Sequence, residues 1–109
     1  MNSFEFIKQN VIENILEKYA DNRVAVKYEK IHQINDFVYL SKLVGIVHFD
    51  VAFEPQSYIQ GTRILHIERL RIDNNVLLEE NSEIEDFYVN DGQIVMYDTP
   101  LFLVKVLKE

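Results

Sequence analysis

The sequence predicts an α+β domain in which one N-terminal amphipathic helix packs on a curled, mostly antiparallel sheet of five to seven strands. Three observations lead there. Apolar residues recur every three or four positions over residues 4–19, the period of a helix with one buried stripe. From residue 23 onward the period falls to two and the residue types turn β-branched and aromatic, as strands favour. The chain has 109 residues, 48% of them hydrophobic, with 3 Gly and 2 Pro. That is enough apolar material for one core and too little Gly and Pro for a disordered chain, so residues 1–109 read as a single globular domain.

The helical stripe consists of Phe4, Ile7, Val11, Ile12, Ile15, Leu16 and Tyr19. Asn2 is placed to cap it, with Glu5 three residues on at the positive end of the helix dipole. "ADN" at 20–22 ends it. "RVAVKYEKIHQI" (23–34) reads as a strand, Asn35-Asp36 as a turn, and "FVYLSKLVGIVHFDVAFE" (37–54) as further strand material. Eighteen residues exceed one ordinary strand, so Gly45 marks a bend or bulge inside the run. Residues 55–61 read as a loop and "TRILHIERLRID" (62–73) as the returning strand. Asn90-Asp91-Gly92, between "IEDFYV" and "QIVMYD", is a hairpin turn signal, because these residues tolerate positive φ at low cost. "LFLVKVL" (101–107) after Pro100 is the last strand. Phe4, Val11, Ile15, Phe49 and Phe53 are expected to share one core. The element order resembles a helix-and-sheet grip of the cystatin-like kind; no motif accompanies it, so the resemblance implies an outline and nothing further.

Charge is unevenly placed. The net charge is −7, and the segment from Asp73 to Asp98 alone holds eight carboxylates and no Lys or Arg. The remainder therefore sums to +1. Such a segment is unsuited to phosphate, since binding nucleic acid needs cations that displace counterions, and it suits a basic partner. Cysteine is absent, which removes disulfides and thiolate chemistry and fits a reducing cytoplasm. Glu5, Lys8, Glu13, Glu17 and Lys18 interrupt the N-terminal segment, so no signal peptide is expected there. No run of about 18 apolar residues is present to span a membrane.

One stretch has the composition of a reactive site. In "HFDVAFE" (48–54), Val47, Phe49, Val51 and Phe53 share one face of the pleat and His48, Asp50 and Glu54 the other. The next strand carries His66 and Glu68 at the same spacing of two. A hairpin with Glu54 opposite Thr62 sets Asp50 against His66 and His48 against Glu68. Two imidazoles and two carboxylates on one face could hold a metal or supply an acid and a base; the commoner outcome is a set of cross-strand charge pairs on a wet sheet face. Arg63, Arg69 and Arg71 alternate along the same strand and could grip an anion. Tyr58 and Ile59 sit in the 55–61 loop, His32 sits near a turn, and Ser41, Ser57 and Ser82 have no nucleophile setting.

These features point first to a non-enzymatic protein-interaction module, an inhibitor or accessory protein. Its surface would be Glu79, Glu80, Glu83, Glu85, Asp86 and Asp91, turned toward a basic protein. The alternatives are a structural module that pairs with a second copy and, after it, a small metal-dependent or acid/base enzyme built on His48, Asp50, His66 and Glu68. No cofactor, no direct nucleic-acid contact and no membrane contact are expected.

Overall fold

The computed structural model describes residues 24–29, 35–52 and 54–107. Its strands are β1 (Ala25–Glu29), β2 (Asp36–Ser41), β3 (Gly45–Phe49), β4 (Gln56–Tyr58), β5 (Arg63–Arg69), β6 (Ile72–Leu77), β7 (Ser82–Phe87), β8 (Ile94–Val95) and β9 (Pro100–Val106). They form two antiparallel sheets, ordered β1-β2-β9-β7-β4 and β6-β5-β3-β8. The α+β expectation is thereby corrected: among the described residues the architecture is all-strand, with nine strands in two sheets rather than five to seven in one. The helix expected over 4–19 lies outside the described residues, together with Phe4, Val11, Ile15, His32 and Phe53. Among the described residues no helix is long and apolar enough to cross a membrane.

The extra strands come from runs that the chain divides. The 37–54 run breaks after β2, where the Ser41 hydroxyl donates to the Leu43 carbonyl at 2.7 Å and accepts from the Leu43 N–H at 3.1 Å. This local pair satisfies backbone that would otherwise continue the ladder, and β3 begins in the other sheet. Past β3 the chain crosses back, and β4 pairs with β7. The run after residue 62 folds into the β5–β6 hairpin, with Leu70 and Arg71 at φ 53° and 64°. Two positive φ values match a two-residue primed turn, which normally recruits Asn or Gly; Leu and Arg sit there against their steric preference. At Asn90-Asp91-Gly92 the turn forms, with Gly92 at φ 85°. Its flanks do not pair as a hairpin, since β7 and β8 belong to different sheets.

The two sheets share one core. Tyr39, Ile84, Phe102 and Val104 from the first sheet meet Val47, Ile64, Leu65, Ile67, Val76 and Val95 from the second. Phe49 packs against this cluster, as its place in the alternation requires. Tyr39 stacks on Phe102 at 4.6 Å between ring centroids, and its hydroxyl accepts from the Glu79 N–H at 3.0 Å. Burial pushes the Tyr39 phenol up to about 12, so it stays neutral as an acceptor. Along β1, β2 and β9 the intervening residues Val26, Tyr28, Val38, Leu40 and Leu103 are buried as well. Burial on both faces explains why "FVYL" and "LFLV" are continuous apolar runs rather than alternating ones.

Candidate functional site

Two clusters of titratable side chains stand out. The first lies on the face of the second sheet turned away from the core, on β3 and β5. The structure brings His48, Asp50, His66 and Glu68 together, in a register two residues removed from the expected one. His48 is opposite His66 and Ile46 opposite Glu68. A slip of two keeps every residue on its face, so the pairs form diagonally. His48 Nε2 lies 2.9 Å from Glu68 Oε1, and His66 Nδ1 lies 2.9 Å from Asp50 Oδ2. A carboxylate only accepts, so these two ring nitrogens donate. The rings stack at 5.0 Å, Arg63 Nε adds a contact to Asp50 Oδ2 at 3.2 Å, and Asp73 Oδ1 is 3.8 Å from His66 Nε2.

The cluster's chemistry is limited by what those atoms already do. Each imidazole has committed a nitrogen to a carboxylate, and among the described residues no three His, Asp or Glu side chains are placed to hold a metal ion. Neither cavity described below borders it. Arg63 serves the network, whereas Arg71 lies in the β5–β6 turn. The His48–Glu68 pair is more than a third exposed, so a double-mutant cycle with His48→Ala and Glu68→Ala should measure a coupling of about 0.2–1 kcal/mol in urea denaturation. A coupling above about 3 kcal/mol would mark a buried, organised dyad instead.

The acidic residues of 79–91 are distributed over three places. Glu79 and Glu80 lie in the β6–β7 connection, where Glu80 pairs with Lys27. Asp91 Oδ1 accepts from the Phe49 N–H at 2.9 Å and ties the β7–β8 turn to β3. Glu83, Glu85 and Asp86 lie on β7, with Glu83 in register with Lys105 of β9. The register of β7 against β9 shifts between Ile84 and Asp86, making Glu85 the extra residue of a bulge, a device that re-aims a side chain.

At this bulge the second cluster forms. The ladder between β4 and β7 ends at Gln56 and Ile84. Beyond it opens a cleft of about 80 Å³ lined by Glu54, Pro55, Ile84, Glu85, Asp86 and Phe87. Asp36 of β2 lies two strands from β7, across β9. Asp36 is in register with Lys105, is 7% exposed, and its Oδ1 has no hydrogen-bond partner. Burial, then the Asp36 charge, push the Glu85 carboxyl above its ordinary range; Lys105 opposes the shift and Glu83 adds to it. Tyr88 next in line is also raised, first by burial and then by Asp86, Glu85 and Asp36. A larger cavity of about 240 Å³ lies between Ala25, Tyr39, Val76 and Leu77, and its walls are mainly apolar. Ser41 and Ser82 donate their hydroxyls to backbone carbonyls, and Tyr58 packs on the core.

Glu54 is grouped by the sequence with His48 and Asp50, whereas Asp36 reads only as a turn residue. The crossing of β4 into the other sheet separates Glu54 from the histidine pair and brings it to the cleft that Glu85 lines.

No family model and no curated protein matches the chain. Among solved structures it is similar to one described as a single-chain, multi-domain long-chain acyl-CoA carboxylase, with a TM-score of 0.63 at 18% identity. The match covers 92% of this chain and 9% of that one. At this identity the likeness is one of fold.

Proposed function

We propose that this protein is a non-catalytic interaction module that binds a basic segment of a partner protein, with the Glu54–Glu85–Asp86 cleft as the anchor point. The observation that carries the reading is the make-up of that cleft: three carboxylates above walls formed by Pro55, Ile84 and Phe87. A lysine or arginine presents the complement, a cationic head on an aliphatic stem. Glu79, Glu80, Glu83 and Asp91 add to the molecule's negative charge and favour encounter with a cationic surface. The recurrence of the fold within about a tenth of a multi-domain enzyme supports a module that docks. A cytoplasmic setting belongs to the same reading and rests on the absence of cysteine.

Titration with acetylated pentalysine amide at low and high salt tests it. Wild type should bind with an affinity that falls as salt rises, and Glu54→Gln with Asp86→Asn should weaken binding about tenfold, equal to about 1.4 kcal/mol. Unchanged affinity in that double variant would remove the cleft from the account.

A second reading, pairing of two copies, has its own support in Val44, Ile46, Ile94 and Met96. All four are exposed along the β3–β8 edge, and sedimentation at two concentrations separates it from the first.

A further inference from the structure

Resting on that reading, we propose that the partner is a second copy of this chain: the β5–β6 turn of one copy, Arg69-Leu70-Arg71-Ile72, docks on the Glu54–Glu85–Asp86 cleft of the next, with the Arg71 head among its carboxylates. Charge, exposure and backbone all single out this turn. Among the described cations, Lys27, Lys42 and Arg63 are each paired with a carboxylate, and Lys105 is in register with Asp36 and Glu83. Arg69 and Arg71 are exposed, and no carboxylate of the described residues is within ion-pair distance of either. Beside them Leu70 is 84% exposed and Ile72 62%. Leu70 and Arg71 hold φ at 53° and 64°, a conformation that Asn and Gly adopt with far less strain. An exposed leucine in that position gives the isolated chain neither burial nor a relaxed turn. Backbone held against its preference in this way is a mark of functional segments.

The turn and the cleft are complementary part by part. The cleft offers Glu54, Glu85 and Asp86 beside walls of Pro55, Ile84 and Phe87. A planar guanidinium meets a carboxylate through two parallel N–H groups, and Leu70 and Ile72 bring apolar surface to the walls. The cleft of the same chain is out of reach. Its Phe87 packs on Phe49 at 4.8 Å, and Phe49 is in register with Leu65. Leu65 stands four positions before Arg69, about 13 Å of strand, and β5 and β6 are paired up to Arg69 and Ile72, so the turn cannot fold back. Each contact therefore joins different patches of two copies, and copies add head to tail instead of closing as a symmetric pair. The net charge of −7 opposes association. At about 0.15 M salt the screening length is about 8 Å, which damps repulsion between whole molecules while charges in contact still attract.

The test is sedimentation velocity of the full chain at several concentrations in about 0.15 M salt, on wild type and two variants. Wild type should form assemblies that grow with concentration. Leu70→Asn with Arg71→Gly removes the docking side chains and relaxes the turn, so its urea midpoint should rise while its self-association weakens at least about tenfold. Glu54→Gln with Asp86→Asn, its fold established by circular dichroism, should lose association to the same extent. An equimolar mixture of the two variants joins one intact turn to one intact cleft and should stop at a heterodimer. Wild type that stays monomeric at every concentration would overturn the second copy as partner, and so would association that survives in both variants or variants that fail to pair when mixed. In each of those cases titration of wild type with acetylated pentalysine amide reports on the cleft separately: binding leaves the docking reading intact, and its absence overturns both.

Discussion

Phe102→Ala is expected to remove about 3–5 kcal/mol of stability, the largest single loss among the substitutions considered. Phe102 is fully buried on β9, the middle strand of its sheet. Its ring stacks on Tyr39 at 4.6 Å and lies 6.2 Å from Phe87. Truncation leaves a cavity between three strands whose pairing prevents them from closing on it, so the transfer and cavity costs add. Against a domain stability of about 5–15 kcal/mol, the variant should unfold at a clearly lower urea concentration, with an unchanged slope. A loss below about 1 kcal/mol would show that the core does not sit between the sheets.

Gly45→Ala should cost about 1–3 kcal/mol, and the reason is space rather than backbone freedom. A Cβ at position 45 would lie 2.4 Å from the Glu68 carbonyl oxygen and 2.7 Å from Ile67 Cγ2. The nearer of these atoms is backbone, so β3 and β5 must separate. Because the same two strands carry His48, Asp50, His66 and Glu68, the substitution should also disturb the stacked imidazoles, visible as changed histidine ring resonances. Gly61 and Gly92 provide the contrast. Both have φ near +85° with open space around the missing Cβ, so Ala there costs about 1 kcal/mol by strain alone. A Gly45→Ala variant no less stable than Gly92→Ala would contradict the close strand approach.

The strand-forming segments were legible because their alternation survives wherever one face is wet, as on β5, where Ile67 is buried and His66 and Glu68 face outward. That same alternation placed His48, Asp50, His66 and Glu68 on one face before any register was known. Register was not legible. The β3–β5 connection leaves its sheet to form β4, and a detour of that kind does not show in local periodicity. The β5–β6 hairpin escaped notice for a different reason, since Leu70-Arg71 adopts positive φ without the Asn or Gly that announces such a turn. Strand count and sheet number went wrong at those two places. On β2 and β9, burial on both faces erased the alternation that would have assigned sides. The acidic segment was visible as composition, but the Glu54–Glu85–Asp86 cleft was not. Glu85 depends on a bulge and Glu54 on a crossing, and each is a tertiary relation.

A basic partner is proposed to anchor in the cleft beside β4. Amide and side-chain carboxyl chemical-shift mapping of the full chain during titration with acetylated pentalysine amide tests it most directly. The largest shifts are expected at Glu54, Ile84, Glu85 and Asp86, with little change at His48 and His66. Shifts centred on the β3–β8 face, or spread evenly over all carboxylates without a maximum at the cleft, would contradict it.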